Sequence, residues 1–315
     1  MMRQGDNCDN VDQILQELAI RRERPILAIC GDMTGESVIE VRTFAETLGS
    51  CSKLSVLLHS PGGDIAAAYR MVIALREYVT DMEVLVPLWA KSAATFFCLA
   101  ANSIHMGQHG ELGPLDPQQL STSGSVMRKS ALETFKALEQ TLGYSLDSLN
   151  GVVKHIIALS PNMDMPYVLE HARPFFAAIV SPLYSMADLH ELGEAGRALA
   201  IGEEYARIVM ERWGYADRDS AEIGAIVRHL VWDYPTHGFV IDWIQAQRIG
   251  LNVEKLPKDQ AKLCEAVSDV VGLGTVIKAA FPNAAEEGAN ASTDPVLSGE
   301  VLGDGEESVT SANEQ

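Results

Sequence analysis

Short apolar runs alternate with amphipathic stretches over the first third of the chain. Ile26–Cys30, Leu54–His59 and Met82–Leu88 are mostly apolar and, with the shorter Ser103–Met106, read as strands. Between them, Ser37–Leu48 and Ile65–Tyr78 carry helical spacing, with Ile65, Ala68, Val72 and Leu75 on one face, and Ser92–Ala100 reads as a short buried helix. Strands with no polar alternation have both faces covered, so the pattern predicts an α/β fold with a mostly parallel sheet between helical layers. Right-handed crossovers follow as the default. Ahead of this core, residues 1–24 form an N-terminal helix with Ile14, Leu15, Leu18 and Ile20 as its apolar positions.

From about Ser125 the period changes to an almost purely helical one. The spacing predicts helices over Val126–Leu142, Leu146–Leu159, Met165–Ile179, Leu183–Trp213 and Ala221–Trp232, with Gly193 and Gly196 marking a break in the fourth. A brief strand signal at Gly238–Ile241 precedes a helix over Asp242–Ile249. The organisation expected is an N-terminal helix (1–24), an α/β core (25–124), a helical elaboration (125–233), and a return to the core with C-terminal helices (234–282). Residues 283–315, poor in large apolar side chains, read as a disordered acidic tail.

Composition narrows the function classes. With 315 residues and 47% apolar positions, the chain can bury a substantial core. Its formal charge of −19 argues against nucleic acid and against an anionic membrane surface, since both need clustered Lys and Arg. No basic residue follows Lys278, so part of the charge belongs to the tail. The richest apolar stretch, around Val84–Ala101, is broken by Lys91 and falls short of the ~20 residues that span a bilayer. The N-terminal MMRQGDNCDNVDQILQEL lacks the basic-then-apolar pattern of a secretory signal. Cys8, Cys30, Cys51, Cys98 and Cys264 are scattered, without C-x-x-C spacing, and read as free thiols in a reducing cytoplasm.

Two segments carry candidate chemistry. In Leu57-Leu58-His59-Ser60-Pro61-Gly62-Gly63-Asp64 a strand passes through Pro-Gly-Gly straight into a helix, which either exposes N–H groups suited to an oxyanion or merely connects the two elements. In Leu88-Trp89-Ala90-Lys91-Ser92-Ala93-Ala94 a strand ends and a helix begins at a serine among small neighbours. That placement presents the hydroxyl at a helix N-terminus, as in a nucleophile elbow, or makes Ser92 a plain helix cap.

The order strand, S-P-G-G, helix, strand, Ser-Ala resembles the proteolytic subunit of Clp protease and signal peptide peptidase A. With Ala90-Lys91-Ser92-Ala93 and Gly107-Gln108-His109-Gly110-Glu111-Leu112-Gly113-Pro114-Leu115-Asp116-Pro117-Gln118, the chain resembles the serine dehydrogenase proteinase family of the Clp-protease/crotonase superfamily. Ser181-Pro182-Leu183-Tyr184 and Tyr234-Pro235-Thr236-His237-Gly238-Phe239-Val240-Ile241 look like that family too. The resemblance implies a spiral of ββα units, an active site between adjacent turns and a homo-oligomer. It implies Ser92 as nucleophile, Gly63 and Ala93 as oxyanion donors, and Gly62 as the residue shaping the turn.

The base is left open. The Clp histidine would fall near Pro114–Pro117, where none stands, so a Clp-type Ser-His-Asp triad is not expected. Lys129 (with Lys136 behind it), His237 and Lys91 are the candidates; a lysine base must be desolvated to be neutral, whereas histidine suits the task near neutral pH. Asp116 in Pro-Leu-Asp-Pro reads as a turn former or as a group orienting a base. No histidine spacing completes a metal site, and no cofactor is expected. The leading reading is a serine peptidase acting on peptides or proteins; the others are a crotonase-type enzyme acting on an acyl-CoA thioester, and a non-catalytic scaffold.

Overall fold

The computed structural model describes residues 4–49, 51–116, 118–120, 128–159, 162, 164–185, 188–271 and 276–282, with the side chains of 4–9, 118–120, 128, 129, 134, 183 and 189 outside that description. The tail at 283–315 also lies outside the described residues.

The apolar runs become the sheet. β1 (Ile26–Cys30), β2 (Lys53–His59), β3 (Asp81–Val86) and β5 (Ser103–Met106) lie side by side in parallel. β9 (Val253–Lys255) extends the parallel set at one edge, and β10 (Val276–Ala280) closes the other edge antiparallel to β1. The six-stranded order is β10-β1-β2-β3-β5-β9.

Side-chain alternation divides the strands between two cores. Leu27, Ile29, Val56, Leu58, Val84 and Ile104 face α2 (Gly35–Thr47), α3 (Ile65–Arg76) and α4 (Ala93–Leu99). Ile26, Ala28, Leu57 and Leu85 face α1 (Gln4–Arg22) and α10 (Lys258–Val271). That second face also carries a buried polar row: Glu83 pairs with Arg22 at 2.5 Å, accepts from Ser55 and lies 3.4 Å from His105. Burial alone would raise the Glu83 pKa, but hydrogen bonds from His105, Arg22 and Ser55 and the Arg22 charge outweigh it and bring it down to about 2.

A second, narrower ladder gives the spiral its repeat. After each main strand the chain makes a short extended stretch that pairs with the next turn: Met33 with Gly63, Ser60 with Ala90, and β4 (Trp89–Ala90) with β6 (Glu111–Leu112). Strand, short strand and helix therefore recur, and the turns of the S-P-G-G and Lys-Ser segments are stacked against each other.

The helical region differs from the expected boundaries. Arg128–Ser130, expected within the first helix, is instead a strand: β8 (Arg128–Ser130) pairs antiparallel with β7 (Gln118–Leu120). α5 (Ala131–Leu159) is one helix where two were expected, because Gly143 and Gly151 stand in open space and nothing forces a break there. α6 (Met165–Ser185) follows, then α7 (Leu189–Val209), which runs through Gly193 and Gly196; the break falls before the glycines. α8 (Ser220–Arg228) and α9 (Trp243–Arg248) complete the set. The strand expected at Gly238–Ile241 is reduced to a single bridge between Ile241 and Leu112. Among the described residues no helix is long and apolar enough to cross a membrane.

Candidate active site

Ser92 stands at the junction of β4 and α4 with φ 50° and ψ −114°. A side chain with a Cβ rarely adopts positive φ, and holding one there costs about 1–3 kcal/mol. The residues around it fix the conformation. Ser60 N–H donates to the Trp89 carbonyl at 3.1 Å and Lys91 N–H to the Ser60 carbonyl at 3.0 Å, while all seven residues of α4 are buried. The Ser92 side chain makes no cap bond to its helix, so the plain capping role is not what it performs. Its hydroxyl instead donates to the Asp116 backbone carbonyl at 3.2 Å.

Facing it is the Pro-Gly-Gly turn. Gly62 (φ +108°) and Gly63 (φ +140°) take backbone conformations closed to most residues. A Cβ on Gly62 would lie 2.7 Å from the Lys91 carbonyl and 3.0 Å from Ser92 Cβ, so the turn is in direct backbone contact with the serine. The Met33 N–H and carbonyl bind Gly62 O and Asp64 N at 2.8 and 2.9 Å. Among the described residues the N–H groups of Gly63 and Ala93 have no hydrogen-bond partner. Ala93 follows Ser92 in the chain, and Gly63 follows the Gly62 turn that is packed on it.

The segment 111–116 is laid across α4 by three ties. Gly113 N–H donates to Thr95 Oγ1 at 2.9 Å, Leu112 and Ile241 exchange backbone bonds at 2.9 and 3.1 Å, and Leu115 N–H reaches the Leu230 carbonyl at 2.9 Å. This brings together residues far apart in sequence. The fully buried Asp116 carboxylate accepts from Leu132 N–H at 2.9 Å through Oδ1, and from Ser130 Oγ through Oδ2. His237 Nδ1 stands 3.2 Å from the same Oδ2. One residue thus touches both the candidate nucleophile, through its carbonyl, and an imidazole, through its carboxylate.

The remaining candidates fall as follows. Lys91 Nζ donates to the Leu112 carbonyl at 3.0 Å and pairs with Glu111 at 3.2 Å, pinning β6 to the turn. Lys129 is on β8, but its side chain lies outside the described residues. Lys136 pairs with Glu139 on the surface. His59 is buried and stacked on Trp89 with centroids 4.9 Å apart, and its pKa is lowered by burial, with Asp269 opposing. Sequence reasoning raised Asp116 only as a turn or an orienting group, and its pairing with His237 spans 121 residues. The one available signal was an acid held between two prolines at the place of the Clp histidine.

Residues 41–143 match the family described as ClpP-like SDH-type serine proteinase. The matched span holds the Pro-Gly-Gly turn, Ser92 and Asp116, and stops short of His237. An uncharacterized protein of Methanocaldococcus jannaschii is 38% identical over 65 residues, and a second one 34% identical over the same length. These stretches are 21% of this chain and 23% and 22% of the two relatives, so the chain spans about a quarter of each relative's length. Among solved structures, a mutant of the 1510-N membrane-bound stomatin-specific protease is 13% identical, covering 75% of this chain and 81% of that one, with TM-score 0.39. ClpP1 from Listeria monocytogenes is 11% identical, covering 78% and 98%, with TM-score 0.37.

Proposed function

We propose that this chain is a serine peptidase that cleaves peptides or proteins through an acyl-enzyme at Ser92. The observation that carries the reading is the Asp116 bridge: its carboxylate orients His237 while its carbonyl holds the Ser92 hydroxyl. With Nδ1–H donated to Asp116, the imidazole keeps Nε2 unprotonated and able to act as base. The Ser92 hydroxyl turns from the Asp116 carbonyl toward Nε2, which takes its proton as Oγ bonds to the scissile carbonyl carbon. Negative charge then gathers on the carbonyl oxygen, where the free Gly63 and Ala93 N–H groups receive it. A single donor of this kind is worth about 3–4 kcal/mol of barrier. His237 returns the proton to the leaving amine, and a water, activated the same way, hydrolyses the ester. The acid, placed between nucleophile and base in chain order, takes the position where the Clp subunit has its histidine.

The matched family and the strained serine both favour this over a thioester-binding crotonase, which needs the oxyanion donors but no elbow serine. The reading includes a homo-oligomer, supported by the exposed Tyr144, Leu159, Met165 and Phe175 on α5 and α6 and their flanks; light scattering that gives a monomer mass would remove that part. The test of the chemistry is labelling by a fluorophosphonate probe. Wild type should label at one serine and Ser92→Ala should not; equal labelling of both would sink the mechanism.

A further inference from the structure

Away from Ser92, a cavity of about 630 Å³ opens beyond the carboxyl ends of β5 and β9. In open α/β sheets this end of the strands is where ligands bind. Neither Ser92, Asp116, His237 nor the Pro-Gly-Gly turn lines it. One wall is the turn at Gly107–Gly110, another is Trp243 on α9, and a third is α10 with the end of β9.

The lining is rich in hydrogen-bond donors. Lys255, Lys258 and Lys262 all reach it, three of the nine lysines in a chain whose net charge is −19. Lys258 and Lys262 are one helical turn apart on α10, and Lys255 Nζ sits over the Trp243 ring at 4.4 Å from its centroid. Among the described residues none of the three ammonium groups forms an ion pair. Two carboxylates also line the space. Asp242 caps α9, accepting from Gln245 N–H at 2.8 Å, and with Glu265 it offsets two of the three positive charges, so the lining stays net positive. Like charges gathered on one face repel. An anion relieves that repulsion.

We infer that this cavity binds a small molecule through a carboxylate or phosphate group held by Lys255, Lys258 and Lys262. Charge-assisted bonds from rigidly placed donors give such a group its affinity, and the apolar Met106, Ile244 and Leu256 beside them accommodate its carbon skeleton.

The test is isothermal titration of the full chain with inorganic phosphate and, separately, with succinate. Saturable binding of one anion at one site per chain is expected, and which anion binds assigns the ligand to phosphoryl or carboxylate compounds. The double variant Lys258→Gln/Lys262→Gln, at exposed positions, should weaken binding by about tenfold or more. Ser92→Ala should bind as wild type does, so the result is independent of the peptidase reading. Saturation by neither anion, or wild-type affinity in a folded double variant, would overturn the proposal.

Discussion

Replacing Asp116 by Asn keeps shape and volume and changes one property, the ability to accept from every neighbour. The carboxylate receives three donors: Leu132 N–H, Ser130 Oγ–H and His237 Nδ1–H. An amide can offer its oxygen to Leu132 only by turning its NH₂ toward Ser130 and His237. The imidazole must then accept at Nδ1, which moves its proton to Nε2. A protonated Nε2 cannot take the Ser92 proton, so the base is lost although every heavy atom keeps its place.

The expected cost in turnover is about 10³- to 10⁴-fold, or roughly 4–5.5 kcal/mol of barrier at 1.36 kcal/mol per decade. The fold should lose less, about 1–3 kcal/mol for the weakened buried bonds. The assay is the second-order rate of fluorophosphonate labelling, with hydrolysis of a fluorogenic peptide library alongside and thermal melting by circular dichroism as the control for folding. A slow, folded Asp116→Asn protein supports the assignment. Labelling within tenfold of wild type in a folded variant would refute it and return the base to Lys129.

Other expectations rest on separate features. Gly62→Ala and Gly63→Ala place a Cβ 2.7 Å from the Lys91 carbonyl and 2.4 Å from the Met33 carbonyl at positive φ, and each should cost about 2–3 kcal/mol in urea denaturation; an unshifted midpoint contradicts the turn geometry. Ser92→Gly relieves the backbone strain that Ser92→Ala retains, so the glycine variant should be more stable than the alanine one by about 1 kcal/mol, with both inactive; equal melting temperatures would remove the strain argument. Glu83, whose pKa falls from 4.5 to about 2 on folding, contributes stability that is complete above 4.5 and lost as pH drops toward 2. The shift corresponds to on the order of 3 kcal/mol, and Glu83→Gln should flatten the acid limb of the stability–pH curve; an unchanged limb would remove Glu83 as its source.

What could be read from the sequence and what could not divide along the range of the interactions. β1 and β5 have the expected bounds; for β1 the reason is that a continuous apolar run in a doubly covered sheet has no other conformation that buries it. The Ser92 elbow was legible for a similar local reason: a strand, a small-residue turn and a buried helix follow within a dozen positions. The β7–β8 pairing was hidden, since its second strand borders the periodic helix α5 and takes its shape from a partner across a connection. β10 is hidden likewise; the short apolar run Val276–Ala280 is interrupted by Lys278 and becomes a strand on the edge that β1 offers.

The pairing of Asp116 with His237 shows the same limit in the site itself. No period or motif links the two residues, and each looks locally like a turn former or a surface group. What joins them is the exchange of backbone bonds between Leu112 and Ile241, four residues from each, which fixes both segments against α4. A site made in this way has its strained, glycine-dependent half written in one continuous stretch and its Asp116–His237 pair delivered by tertiary structure. The first half constrains residue type through backbone geometry. The second constrains only distance, and so the base can come from any segment that the helical elaboration returns to the end of the sheet.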